Sequence, residues 1–133
     1  MYSDAISPAR QALLRAYFAR LERGEWDKLV ALCDDDVVYR MPAATPQQTQ
    51  TIVGKDAFRQ FSAETFAEFL EPRFAATDMR VLGEAIVVDY DGTWRTKSGE
   101  RASLPGAILF TFRGDKISEI AVRVDLRGLN RPE

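Results

Sequence analysis

The sequence contains no histidine and one cysteine, Cys33. Histidine is the most common metal ligand and the most common general base near neutral pH, so its absence removes the usual metal centre and the usual catalytic base. A single cysteine excludes an intramolecular disulfide and a thiolate metal cluster. Any chemistry must therefore come from carboxylates, tyrosines and arginines, and we expect neither a metal nor a cofactor.

The chain also lacks an excess of either charge and lacks long apolar runs. Its 18 basic and 20 acidic residues give a net charge of -2 and are interleaved, which leaves no basic footprint for a nucleic acid. No apolar run approaches the length of a membrane span, and the start Met1-Tyr2-Ser3-Asp4 does not resemble a secretory signal. We therefore expect a cytoplasmic protein without nucleic acid or membrane partners.

What is present fits one folded unit. A length of 133 residues is typical of a single domain, and the 46% hydrophobic and 29% charged fractions are close to globular averages. The sequence therefore predicts one domain over residues 1–133.

The N-terminal half predicts helices. Ser7-Pro8 is a typical helix start, and apolar residues then follow helical spacing as far as Gly24, a residue suited to a left-handed C-cap. A shorter second helix is predicted from Trp26 to Cys33, and the acidic run 34–36 is predicted to be a solvated turn that ends it.

The stretch from Val37 to Pro72 is predicted to contain one strand, one loop and one helix. Val37 to Met41 is a predicted strand stopped by Pro42, and residues 43–51 form a predicted polar loop. After Gly54, an aromatic stripe at helical spacing predicts a third helix that ends before Pro72.

The C-terminal half predicts four antiparallel strands, at residues 73–82, 84–96, 101–113 and 116–126. Ser98-Gly99 and Gly114-Asp115 are predicted hairpin turns, where glycine supplies a positive φ. Helices followed by a strand meander predict an α+β domain with helices on one face of an antiparallel sheet.

Three stretches of sequence resemble the nuclear transport factor 2-like superfamily. They are LLRAYFARLERGEWDKLVALCDDDVVYRMP, TIVGKDAFRQF and FTFRGDKISEIAVRVDLRGL, within the range from Leu13 to Leu129. The superfamily includes ketosteroid isomerases, limonene epoxide hydrolases, SnoaL-like polyketide cyclases and purely binding proteins. The resemblance implies a cone-shaped, strongly curved antiparallel sheet wrapped around three N-terminal helices, which together enclose a pocket.

The ketosteroid isomerase pattern is only partly present. Tyr17 falls where that family has its oxyanion-binding tyrosine, whereas Met41 falls where its catalytic aspartate is expected. The segment 104–108, expected to hold the second acid, contains no carboxylate. The resemblance therefore argues against steroid isomerisation by that mechanism.

The epoxide hydrolase and polyketide cyclase patterns agree better at the C-terminal end. The stretch KISEIAVRVDLRGL resembles their last strand, and Asp125 matches its catalytic aspartate. Asp91 falls at the second aspartate of the epoxide hydrolases, and Asp89 replaces the arginine between them. Val38 and Arg40 replace the tyrosine and asparagine that position water, so that water site is altered or shifted onto Tyr39.

The strand period leaves two orientations open. Asp89 and Asp91 share one face of their strand, and Arg123 and Asp125 share one face of the last strand. If these faces point inward, the apolar positions Val88, Tyr90, Trp94, Val122 and Val124 lie outside and predict a homodimer. In the opposite orientation, the apolar faces pack against the helices and the charged side chains face water.

The inward orientation predicts an acid–base site for a small hydrophobic, polyketide-like or terpenoid-like substrate. The predicted catalytic residues are Asp125 as principal acid or base, Asp91 as its counterpart, Arg40 or Arg123 as orienting cation, and Tyr17 or Tyr39 as hydroxyl donor. The predicted substrate-binding residues are Tyr39, Asp89, Arg123 and Trp94. The expected activity is cofactor-independent isomerisation, cyclisation or epoxide opening. The alternative is a non-catalytic small-molecule-binding or protein-interaction domain of the same fold.

Overall fold

The computed structural model describes residues 6–41 and 50–124, without the side chains of Leu104 and Val124. The helices are α1 (Pro8–Arg23), α2 (Trp26–Val30) and α3 (Lys55–Thr65). The strands are β1 (Cys33–Met41), β2 (Gln50–Val53), β3 (Leu70–Leu82), β4 (Ala85–Arg95), β5 (Arg101–Arg113) and β6 (Lys116–Val124). The predicted α+β class is confirmed: the N-terminal helices pack against a large, curled, unclosed sheet.

The strands form one sheet in the order β2-β1-β6-β5-β4-β3. Every neighbouring pair is antiparallel except β1 and β6, which run parallel. The sheet is therefore mixed, and the prediction of a purely antiparallel sheet is wrong in this pair. Side-chain alternation identifies a strand but carries no information about which strand will be its neighbour.

Helix α1 has the ends that the sequence predicts. The Ser7 hydroxyl oxygen accepts a hydrogen bond from the Arg10 backbone N–H at 3.2 Å, and Pro8 opens the helix. Gly24 ends it with a φ of 69°, a left-handed conformation that glycine adopts without a steric cost. The buried face of α1 packs onto the inner face of the sheet and consists of Leu14, Tyr17, Phe18 and Leu21.

The elements that flank α1 differ from prediction. Helix α2 ends at Val30, and the acidic run 34–36, predicted to be a turn, belongs to β1. The register between β1 and β6 shifts between Cys33 and Val38, so the acidic residues lie in an irregular part of the pairing.

Two further boundaries were missed. Helix α3 ends at Thr65 because the chain enters β3 at Leu70, where strand pairing replaces the helical period. Strand β2 was not predicted, and its first two residues, Gln50 and Thr51, were assigned to the loop, because four residues are too few to show alternation.

The core lies between α1 and the inner face of the sheet. The largest fully buried side chains include Phe110 on β5, Val88 on β4, and Ile117 and Ile120 on β6. The apolar faces of these strands therefore point toward the helices. Burial of these faces removes their apolar area from water, which is the main favourable contribution to folding.

Candidate functional site

A cavity opens beside the core, between the inner face of the sheet and the helices. Its volume is about 130 Å³, and its lining contains no charged side chain among the described residues. The described lining residues are Tyr17, Phe18, Leu21, Tyr39, Met41, Thr65, Phe66, Phe69, Phe74, Tyr90, Gly92, Trp94, Ile108 and Val122. A largely apolar recess with a few polar atoms is typical of a small-molecule site.

One wall of the cavity is aromatic. The rings of Phe69 and Trp94 stack in parallel, with centroids 4.4 Å apart and planes at 5°. Phe66 meets Phe69 edge to face at 5.1 Å, and it meets Phe74 in the same way at 5.7 Å. These contacts between the rings fix their orientations relative to one another.

Three tyrosines contribute to the lining of the cavity. Tyr17 on α1, Tyr39 on β1 and Tyr90 on β4 are all buried and come from three separate elements. Within the described parts of the chain, no hydrogen bond joins any of these hydroxyls to a protein group. The surface of the cavity is nevertheless almost entirely apolar.

Burial raises the pKa of all three tyrosines. For Tyr17, burial is the largest cause, and the nearby Tyr39, Cys33 and Tyr90 raise its pKa further. For Tyr39 the causes are burial and then the proximity of Tyr90, and for Tyr90 the cause is burial. At neutral pH all three side chains are therefore uncharged hydrogen-bond donors rather than bases.

Cys33 lies outside the cavity lining, and its thiol is unreactive at neutral pH. Its thiol is buried and contacts the Leu29 carbonyl oxygen at 3.9 Å. Burial raises the thiol pKa to about 12, so the nucleophilic thiolate is scarce at neutral pH.

The carboxylates of β4 do not face the cavity. Ile86, Val88 and Tyr90 are buried, whereas Asp91 between the inner positions is exposed. Asp89 lies on the same outer face, where its carboxylate accepts a hydrogen bond from the Arg80 guanidinium at 2.6 Å. The predicted inward orientation of these aspartates is therefore wrong, because the apolar residues of β4 are buried against the helices and the carboxylates keep their contact with water and with arginine.

The two predicted arginines also lie away from the cavity. Arg40 is exposed, and its Nε atom donates to a carboxylate oxygen of Glu119 on the neighbouring strand β6 at 2.8 Å. Arg123 is exposed near the end of β6. Neither lines the cavity, so their predicted contacts with substrate are not supported. Asp125 lies outside the described residues, and its catalytic role stays a prediction.

Three of the predicted site residues do meet at the cavity. Tyr17, Tyr39 and Trp94 line it, and the structure adds Tyr90, which the sequence analysis assigned only to an apolar face. The signal for Tyr90 was its position on the face that carries Val88 and Trp94. Asp89 and Asp91, which were predicted to belong to the site, lie on the opposite face of the same strand.

Most of the apolar residues on which the predicted homodimer rests lie inside the protomer. Val88, Tyr90 and Val122, which were expected on the outer face, are buried inside the protomer. Trp94 lines the cavity. The dimer itself stays a prediction, and sedimentation velocity at micromolar concentration tests it.

Within residues 6–41 and 50–124, no group of three or more acidic or cysteine side chains is arranged to hold a metal ion. Over the same residues, no helix is both long enough and apolar enough to span a membrane.

The chain belongs to the SnoaL-like domain family, whose model matches residues 14–120. This agrees with the resemblance to the nuclear transport factor 2-like superfamily, to which solved structures of similar shape also belong. No functionally curated protein matches the sequence.

Three solved structures illustrate the similarity of fold. A proposed polyketide cyclase of Xanthomonas campestris pv. campestris is 20% identical with a TM-score of 0.75, and the match covers 91% of this chain and 93% of that one. TerC, co-crystallised with polyporic acid, is 18% identical with a TM-score of 0.78 and coverage of 93% and 96%. A hypothetical protein of Catenulispora acidiphila with a ketosteroid isomerase-like fold, in complex with trimethylamine, is 19% identical with a TM-score of 0.73 and coverage of 83% and 82%.

Proposed function

We propose that the protein is a cofactor-independent enzyme of the isomerase or cyclase type that acts on a small, neutral ring compound with a carbonyl or phenolic oxygen. The observation that carries this proposal is the convergence of three buried tyrosines on a cavity whose described lining is otherwise almost entirely apolar. An apolar recess binds the ring, and hydroxyl donors bind its oxygen.

The tyrosine hydroxyls suit the stabilisation of an oxygen on which negative charge develops. When a proton leaves a carbon next to a carbonyl group, negative charge accumulates on the carbonyl oxygen. Donors fixed in a water-poor site stabilise that charge more strongly than water does, because they need no reorganisation. The raised pKa values of Tyr17 and Tyr39 keep their protons in place for this role.

A base must come from elsewhere, because no carboxylate lines the described part of the cavity. We assign this role to Asp125, which matches the catalytic aspartate in the family resemblance. The family match is the support for this role, because Asp125 follows the described part of β6, and Arg123, which shares its face in the strand period, is exposed.

The size of the cavity restricts the ligand. Its volume of about 130 Å³ is close to that of an engineered cavity of about 150 Å³ that binds benzene. Drug-sized ligands occupy pockets of roughly 300–1,000 Å³. The described cavity therefore suits a compound with one ring or a compact terpenoid, rather than a four-ring polyketide.

The second candidate function is binding without chemistry. It is favoured by the absence of any charged side chain from the described lining. The neighbours with trimethylamine and polyporic acid show that the fold accepts small molecules. In this case the tyrosines would only orient the ligand.

One experiment separates the two functions. Binding of phenol and cyclohexanone is followed through tryptophan fluorescence, because Trp94 lines the cavity. Exchange of the α-protons of cyclohexanone for deuterium is followed by NMR with wild-type protein and with Asp125→Asn. An enzyme binds both probes and accelerates exchange through Asp125. Binding without accelerated exchange supports the second function, and absence of binding refutes both.

A further inference from the structure

Gly92 occupies an inner position in the middle of β4. It lies between Tyr90 and Trp94, is buried, and contributes to the lining of the cavity. Because side chains alternate along a strand, a Cβ atom at residue 92 would point to the same face as those two rings. A side chain at residue 92 would therefore project toward the cavity.

The backbone at this position does not require glycine. The described glycines with positive φ are Gly24, Gly54, Gly83, Gly99 and Gly114, and Gly92 is not among them. Gly92 pairs in regular register with Phe74 on β3, and it pairs with Leu104 on β5. The register shifts of the β3–β4 pair lie elsewhere, between residues 70 and 73 and between 76 and 78. A turn or bulge, the usual reason for glycine within a strand, is therefore not the reason here.

Gly106 on the neighbouring strand shows the contrasting case. A Cβ atom at residue 106 would lie 2.8 Å from the Tyr90 hydroxyl oxygen and 2.9 Å from the Arg123 carbonyl oxygen. Protein atoms fill the space beside Gly106, and the packing explains that glycine. The space beside Gly92 includes the cavity itself.

We infer that Gly92 determines specificity by holding open the part of the cavity that receives a short apolar substituent on the ring of the ligand. The stacked rings of Phe69 and Trp94 line the same cavity. The ligand class is thus a ring compound with one oxygen and a short alkyl group. This inference rests on the proposed binding of a ring compound in the same cavity.

The test uses Gly92→Ala and Gly92→Val with two probes that differ only in the alkyl group, phenol and 4-propylphenol. Wild-type protein should bind 4-propylphenol more tightly than phenol, because the propyl group buries additional apolar area. Gly92→Val should weaken the binding of 4-propylphenol by at least about tenfold and the binding of phenol by less than about threefold. The reason is that each buried methylene contributes substantially to affinity. Gly92→Ala should have a smaller effect in the same direction.

Ala75→Val is the matched control, because it adds methyl groups at an exposed position of β3, next to the residue that pairs with Gly92. It should leave both affinities unchanged. Thermal unfolding accompanies every measurement, and Gly92→Ala carries the test if Gly92→Val does not fold.

Three outcomes would overturn the inference. Equal weakening of both phenols by the Gly92 variants would show that Gly92 serves packing, and unchanged affinities would show that it does not limit the cavity. In both cases the proposed function stands, because wild-type protein binds the probes. Failure of wild-type protein to bind either phenol would refute the proposed function, and the inference with it.

Discussion

Tyr90 and Gly106 face each other across β4 and β5, and the Tyr90 hydroxyl lies 2.8 Å from the place that a Cβ atom of residue 106 would occupy. The aromatic ring covers the glycine, and the tyrosine reaches its position only because residue 106 has no side chain. The placement of one tyrosine that lines the cavity thus depends on a residue outside the cavity lining.

Gly106→Ala should therefore destabilise the protein by about 1–3 kcal/mol, since an added methyl group in a filled space forces neighbouring atoms to move. Chemical denaturation measures the loss. Gly106→Ala combined with Tyr90→Phe should recover part of it, because the closest clashing atom is gone, whereas the Arg123 carbonyl oxygen remains at 2.9 Å. An unchanged stability of Gly106→Ala would contradict the close approach.

Tyr17→Phe should weaken binding of 4-ethylphenol by about two- to tenfold, which corresponds to the loss of one hydrogen bond. Ethylbenzene, which has no oxygen, provides the control and should bind equally well to wild type and variant. Fluorescence titration measures both affinities. Equal affinity of 4-ethylphenol for the two proteins would mean that the Tyr17 hydroxyl does not contact the ligand oxygen.

The raised pKa values of Tyr17, Tyr39 and Tyr90 predict a loss of stability at alkaline pH. In the unfolded chain tyrosine ionises near pH 10, roughly its ordinary pKa, whereas in the folded protein these side chains stay protonated. Their contribution is fully present below about pH 10 and is lost as the pH rises toward the folded-state pKa values, because the unfolded state then binds fewer protons.

Absorbance of tyrosinate and circular dichroism, recorded together from pH 8 to about pH 12.5, check this prediction. The three buried tyrosines should ionise only as the fold is lost, and Tyr17→Phe should show a shallower decline in stability. Ionisation of all tyrosines near pH 10 in a protein that keeps its circular dichroism would show that the hydroxyls are solvated.

Asp125→Asn and Asp91→Asn form a matched pair of substitutions. Asp91 is exposed on the outer face of β4, so its substitution should change stability by no more than about 0.5 kcal/mol and leave proton exchange intact. Asp125→Asn should lower the rate of exchange by about two to four orders of magnitude, the usual effect of removing a general base. A loss of exchange in Asp91→Asn would place that carboxylate in the reaction and contradict the outer-face position.

Several elements were determined by the sequence alone, because local rules govern them. The cap residues Ser7 and Gly24 define α1, and glycine turns at Gly99 and Gly114 separate the long strands. Each of these signals acts within a few residues, through a side-chain hydrogen bond or a backbone conformation open to glycine. The class of the fold and the ends of β5 followed directly from them.

The candidate site was decided by tertiary structure. Alternation along β4 separates Asp89 and Asp91 from Tyr90 and Trp94, but it does not say which set faces the helices. The packing of α1 against the sheet buries the apolar set. The cavity is therefore lined by aromatic residues, including three tyrosines, and not by the expected carboxylates of β4. The parallel pairing of β1 with β6 likewise joins residues far apart in sequence, and no local pattern encodes that contact. The orientation of the strand faces and the pairing of the strands depend on the free energy of the whole chain. The residue types of the site could therefore be read from the sequence, but which of them come together at the cavity could not.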